Sequence, residues 1–236
     1  MKRFLGKKIF RLFIIAYFTV AMIEIVAEYF NDKTLVTLFK PILIPLLIGY
    51  YFYNSRKRNF LFIVALVFSW IANIFFINDT INYIILGSVF FLIYRVIIIY
   101  LVIRMVKMPS KLPLLIGAIP FLFIYATTCF LTFEDFGENI FLFIIHGIFI
   151  IFLGGYSLGS YIVYSSKTNL ILFLSTMLFA LSQFVFVLKI YSEYVYFLHA
   201  LAMLQFVVAQ YLLTKFMHLK EKPKSKYEFA NTINEL

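Results

Sequence analysis

Charge is scarce in this chain, and cysteine scarcer. Only 14% of the 236 residues are Asp, Glu, Lys or Arg, against about 25% in an ordinary soluble domain. The one cysteine, Cys129, excludes an intrachain disulfide and a metal site built from thiolates alone. There is no Gly-rich phosphate loop, no Gly-x-Ser-x-Gly elbow and no His/Cys cluster at metal-ligand spacing. That silence removes the familiar motifs of soluble enzymes and leaves no cofactor or metal to expect.

What the chain has instead is apolar residues, 64% of the total where a soluble domain has about 45–50%. They fall in blocks of about 20, the length a helix needs to cross a hydrocarbon core roughly 30 Å thick. The blocks predict an all-α polytopic membrane bundle of eight transmembrane helices, at 9–29, 36–54, 60–77, 83–104, 112–132, 139–164, 169–189 and 194–216. They occupy residues 1–216 as one membrane domain, and 217–236 is left as a charged, Pro-broken tail.

Charge then sets topology. A net charge of +10 would suggest nucleic acid in a soluble protein, but here the basic residues sit in alternate loops. Lys2, Arg3, Lys7 and Lys8, then Arg56-Lys57-Arg58, then Arg104, Lys107 and Lys111, then Lys167, then Lys215, Lys220, Lys222, Lys224 and Lys226 all fall on one side. The other side has Lys33 and Lys189 among Asp32, Asp79, Glu134, Asp135, Glu138 and Glu193. The positive-inside rule places both termini in the cytoplasm. The first span is expected to stay uncleaved, since its apolar run is long and no A-x-A-like site follows. A composition rich in Ile, Phe, Lys and Asn points to a low-GC bacterium and its inner membrane.

The stretch from Ala65 to Tyr100 reads as a helical hairpin about an Asn78-Asp79-Thr80 turn, with Asn73 on its first arm and Arg95 near the middle of its second. An Arg at a helix centre costs about 2.5–3.5 kcal/mol on insertion scales and normally faces a bundle interior or a wet cavity. A rise of about 1.5 Å per residue puts Glu24, Lys40, Asn73 and Gln183 at about 6–9 Å below the outer ends of their spans. His146 and His199 fall at similar depth, and Arg95 lies deeper with a side chain long enough to snorkel upward. Six spans thus place a polar group in one outer-leaflet slab, where convergence inside the bundle costs least. The bland alternatives are a Lys40–Glu24 ion pair, Asn73 and Gln183 as interhelical hydrogen-bond glue, and structural histidines. A faint echo of Ala72-Asn73-Ile74-Phe75-Phe76 in Ser182-Gln183-Phe184-Val185-Phe186 fits a four-plus-four repeat, or chance. The Gly154-Gly155 pair suits close helix contact or a bend.

The segment from Thr37 to Leu47, with Lys40-Pro41 inside it, resembles the second span of the YhhN family of membrane proteins, which includes the lysoplasmalogenases. Phe68-Ser69 and Ala72-Asn73 resemble that family's Ser-x-x-Gly-Asp motif. Gly87, Phe91, Arg95 and Ile98 are similar to its Gly…Phe-x-x-x-His-x-x-Tyr pattern. Phe179 with Ser182-Gln183 matches its Phe…Ser-Asp, and Ala209-Gln210-Tyr211-Leu212 its Ala-Gln-x-Leu. The resemblance covers five spans in order.

It implies an eight-helix hydrolase that cleaves the vinyl ether bond of lysoplasmalogens to a fatty aldehyde and a glycerophospho-base. Membrane lipid or lysophospholipid is then the expected partner, with Lys40, Arg95 and Gln210 against it. The family's two Asp and one His are the natural proton carriers, and this chain replaces all three, with Asn73, Arg95 and Gln183. Asn and Gln carry no proton near neutral pH and Arg does not release one. Weak or absent activity is the expectation, with Glu24, His146 and His199 as possible replacement carriers. Restoring Asp, His and Asp at positions 73, 95 and 183 is expected to raise it. A non-catalytic lipid-binding relative and a small transporter are the rival readings. Taken as ionised, Glu24, Lys40 and Arg95 leave one positive charge over. That predicts a cavity preferring an anion such as a lysolipid phosphate, held by Arg95, unless Arg95 pairs with Glu24.

Overall fold

The computed structural model describes residues 2–55, 57–132, 140–191 and 196–221. Among the described residues there are eight helices and no strand: α1 (Lys2–Tyr29), α2 (Lys33–Asn54), α3 (Phe60–Phe75), α4 (Ile81–Met105), α5 (Lys111–Thr132), α6 (Ile140–Val163), α7 (Lys167–Tyr191) and α8 (Tyr196–Glu221). Seven are long and apolar enough to cross a membrane, and α3 is a shorter apolar helix of 16 residues. The chain is a multi-pass membrane protein. Of the residues that carry the charge alternation, Arg56, Glu134, Asp135, Glu138, Glu193 and the tail lysines beyond Lys220 lie outside the described residues, as does the tail from 222 onward.

Local chemistry explains where the helices stop. Asn31 takes the left-handed conformation, φ 55°, which Asn tolerates better than most residues. Asp32 N–H then reaches back to Ala27 O and Asn31 N–H to Glu28 O, a Schellman closure that satisfies the last carbonyls of α1. Asp32 goes on to cap α2, its carboxylate accepting from the N–H groups of Thr34 and Leu35 at 3.0 and 3.1 Å. The hairpin is therefore tight. α3 ends two residues before the predicted 77, because Ile77 N–H bonds Ile74 O and Asn78 N–H bonds Phe75 O in three-residue turns. At about 1.5 Å per residue it covers about 24 Å.

α2 carries Pro41 and Pro45 inside its length. Pro45 has no N–H, so the carbonyl of Pro41, four residues back, loses its helical partner. Trp70 on α3 supplies one: its indole N–H donates to Pro41 O at 2.7 Å. In a hydrocarbon environment such a carbonyl has no water to turn to, so the prolines and the lone Trp belong together.

The packing closes a circuit in the order α1, α2, α3, α4, α6, α7, α8 and back to α1, with α5 against α6 and α7. Gly117 of α5 makes that last contact possible: a Cβ there would stand 2.7 Å from both Gly155 O and Gly159 N, so backbones touch where side chains would hold them apart. In the middle of the bundle Gln210 of α8 donates to Ser69 Oγ of α3 at 2.7 Å and accepts from Tyr94 OH of α4 at 3.1 Å. At the end nearer the chain termini, Tyr51 and Ser55 both donate to the carboxylate of Glu221. α8 thus runs five residues past the predicted 216 and is pinned to α2.

Candidate functional site

The polar groups scattered over the sequence meet at the opposite end of the bundle, the end predicted to face outside. A partly open cavity of about 160 Å³ lies there, walled by every helix except α5. Lys40, Asn73, His146, Gln183 and His199 all line it, joined by Glu28, which no motif had marked. Phe76, Phe91, Phe179 and Phe186 make much of the remaining wall. The cavity is therefore amphipathic, with an apolar body and a few converging polar atoms.

Two polar centres flank it. In the first, Lys40 Nζ lies 2.5 Å from Glu28 Oε1 and 3.6 Å from Glu24 Oε1, while Glu28 Oε2 lies 3.3 Å from His199 Nδ1. Glu24 and Glu28 are one helical turn apart on α1 and so share a face. Glu24 is fully buried, at 0% exposure, and lies behind the cavity wall. Glu28 faces the cavity.

The second centre is built on Arg95, 4% exposed. Its Nη2 donates to Gln183 Oε1 at 2.8 Å, and its Nη1 lies 3.0 Å from His146 Nδ1 and 3.3 Å from His146 O. The guanidinium stands over the Phe91 ring, 5.2 Å from its centroid. His146 Nε2 lies 3.1 Å from Ser88 O. A carbonyl only accepts and a guanidinium only donates. Together they fix His146 as the neutral tautomer with its hydrogen on Nε2, and both ring nitrogens are committed. Arg95 itself lines a smaller hollow of about 20 Å³ beneath the cavity.

Of the positions singled out from sequence, Asn73 spends an amide hydrogen on Ser69 O of its own helix, at 2.9 Å. Gln210 does not line the cavity and is engaged in the bundle core. Arg95 bonds His146 and Gln183, and Glu24 faces Lys40, so the pairing of Arg95 with Glu24 is not formed. Glu28 also alters the charge count. With it, two carboxylates stand against one ammonium and one guanidinium, where the sequence count had one carboxylate. Glu28 sits one residue from the end of the first span, where an acid reads as interfacial; its i, i+4 spacing from Glu24 was the signal. Among the described residues no His, Cys, Asp and Glu group is arranged to hold a metal ion.

An apolar helical bundle of this kind defines a polytopic membrane protein, here with a cavity of mixed polarity toward one end. The chain belongs to the YhhN family, whose model matches residues 35–217. No curated protein and no solved structure matches it. The matched stretch begins at α2, so Glu24 and Glu28 on α1 precede it.

Proposed function

We propose that this protein is a hydrolase of the lysoplasmalogenase type, acting on the vinyl ether bond of a lysolipid held in the cavity. The observation that carries the reading is convergence. Positions 73 and 183, which match family acid motifs, line one cavity, and position 95 lies directly behind its wall through His146 and Gln183. At about 160 Å³ the cavity is smaller than the roughly 300–1,000 Å³ of a site that swallows a drug-sized ligand. It suits the few atoms around the ether bond, with the acyl-length chain left in the bilayer. In this reading both termini face the cytoplasm of a bacterial inner membrane and the cavity opens in the outer leaflet.

The test is release of fatty aldehyde from lysoplasmenylethanolamine by the purified protein in detergent micelles, with the saturated alkyl-ether analogue as an uncleavable control. Aldehyde above a protein-free blank supports the hydrolase. The closed Arg95–His146–Gln183 set favours one rival, a lipid-binding relative without catalysis. Saturable binding of both lipids with no aldehyde would select that rival. Movement of the lysolipid across proteoliposomes without cleavage would select a small transporter.

A further inference from the structure

We infer that proton transfer in this cavity is carried out by His199, held by Glu28, and not by the family-motif positions 73, 95 and 183. The inference rests on the hydrolase reading above. It begins with an exclusion. At the motif positions stand an amide, a guanidinium and an amide, and the neighbouring imidazole of His146 is locked between Ser88 O and Arg95. None of these groups has a proton to give and take back.

The other centre differs in kind. Glu24, Glu28, Lys40 and His199 come from α1, α2 and α8; the Lys40 and Glu28 side chains are 7% and 10% exposed and that of His199 is 19% exposed. Glu24 and Glu28 both face the Lys40 ammonium. Imidazole is the side chain that takes up and gives back a proton near neutral pH. His199 Nδ1 lies 3.3 Å from Glu28 Oε2, and both residues line the cavity. A carboxylate that orients an imidazole and stabilises its protonated form is the arrangement hydrolases use to move a proton at a reacting atom. Glu28 is thus a positioning residue and His199 the catalytic one. Lys40 keeps Glu28 anionic and in place.

The chemistry balances with water as the only co-reactant. The imidazolium of His199 gives its proton to the vinyl carbon farther from the ether oxygen, and the π pair becomes the new C–H bond. Positive charge spreads over the other vinyl carbon and the ether oxygen. Water attacks that carbon with an oxygen lone pair and returns a proton to His199, leaving a hemiacetal. The hemiacetal C–O bond then breaks, its hydroxyl hydrogen passing to the departing glycerol oxygen, and the aldehyde is released. One water is consumed and His199 ends as it began.

The experiment measures kcat and KM for aldehyde release from lysoplasmenylethanolamine by the full chain, with binding of the alkyl-ether analogue as a separate readout. His199→Gln and Glu28→Gln are expected to lower kcat by about 10²–10⁴-fold, the usual share of general acid–base catalysis, while KM and analogue binding stay within a few-fold of wild type. Glu28→Asp keeps the charge and is expected to recover part of the rate. A wild-type kcat in His199→Gln or Glu28→Gln overturns the inference and leaves the hydrolase reading standing. No aldehyde from the wild type overturns both. Loss of rate together with loss of analogue binding, without recovery in Glu28→Asp, assigns the pair to structure and overturns the inference.

Discussion

Arg95 and Gln183, one on α4 and the other on α7, are joined by a 2.8 Å hydrogen bond, so two of the three replaced family positions are partners of each other. The replacements form a set. Truncating Arg95 leaves Gln183 Oε1 and the buried His146 Nδ1 without their donor, at about 1–3 kcal/mol for the buried nitrogen. Arg95→Ala should therefore lower the thermal unfolding midpoint of the detergent-solubilised protein clearly. Adding Gln183→Leu should cost less than the two single losses summed, because the second change removes a group the first had orphaned.

Lys40 places its ammonium between two carboxylates, Glu24 and Glu28. Removing it in Lys40→Met takes away the ammonium that both carboxylates face in a buried site, a change worth roughly 3–5 kcal/mol for a broken buried pair. The measurement is again thermal unfolding, and the informative comparison is Lys40→Met with Glu28→Gln, which should regain a good part of the loss. Equal instability in the single and double variants would show that Lys40 is held by something other than charge.

Trp70→Phe keeps the aromatic bulk and deletes the donor to Pro41 O. An unpaired buried carbonyl predicts a loss of about 1 kcal/mol or more. Trp70→Phe combined with Pro45→Ala, which returns a backbone N–H to the same carbonyl, should lose less. The pair of midpoints decides whether the indole is there for the proline.

Orientation is open to labelling. In a variant lacking Cys129, cysteines placed at positions 57 and 222 should be protected from an impermeant reagent outside the cell, and one at position 135 should react. Outside labelling at 57 would reverse the predicted topology.

Much of the bundle was legible because length and apolarity are written along the chain: the spans predicted at 36–54, 83–104 and 112–132 lie within one to three residues of α2, α4 and α5. Depth was legible too, since helix rise alone brought Lys40, Asn73, His146, Gln183 and His199 to one level, and all five line one cavity. Rotation was harder to read. Helices as apolar as α4 have no strong face in their sequence, so nothing told that Arg95 turns toward α6 and α7 and not toward Glu24. Gln210 shows the same limit, having the polarity of a ligand contact but the position of a core cross-link. Glu28 was hidden by its place near a helix end.

Arg95 has a history that the finished bundle conceals. Its partners His146 and Gln183 lie 51 and 88 residues further along the chain. At roughly 5–20 residues per second of synthesis, α4 leaves the ribosome several seconds before either exists. During that interval its guanidinium must be carried at the usual cost of about 2.5–3.5 kcal/mol for a mid-helix Arg. α4 is the most apolar of the seven long spans, which offsets that burden. Lys40 faces no such wait, because Glu24 and Glu28 have been made before it. The first hairpin can therefore enter the bilayer with its ammonium already paired, whereas the fourth helix goes in on hydrophobicity alone and is completed only by later arrivals.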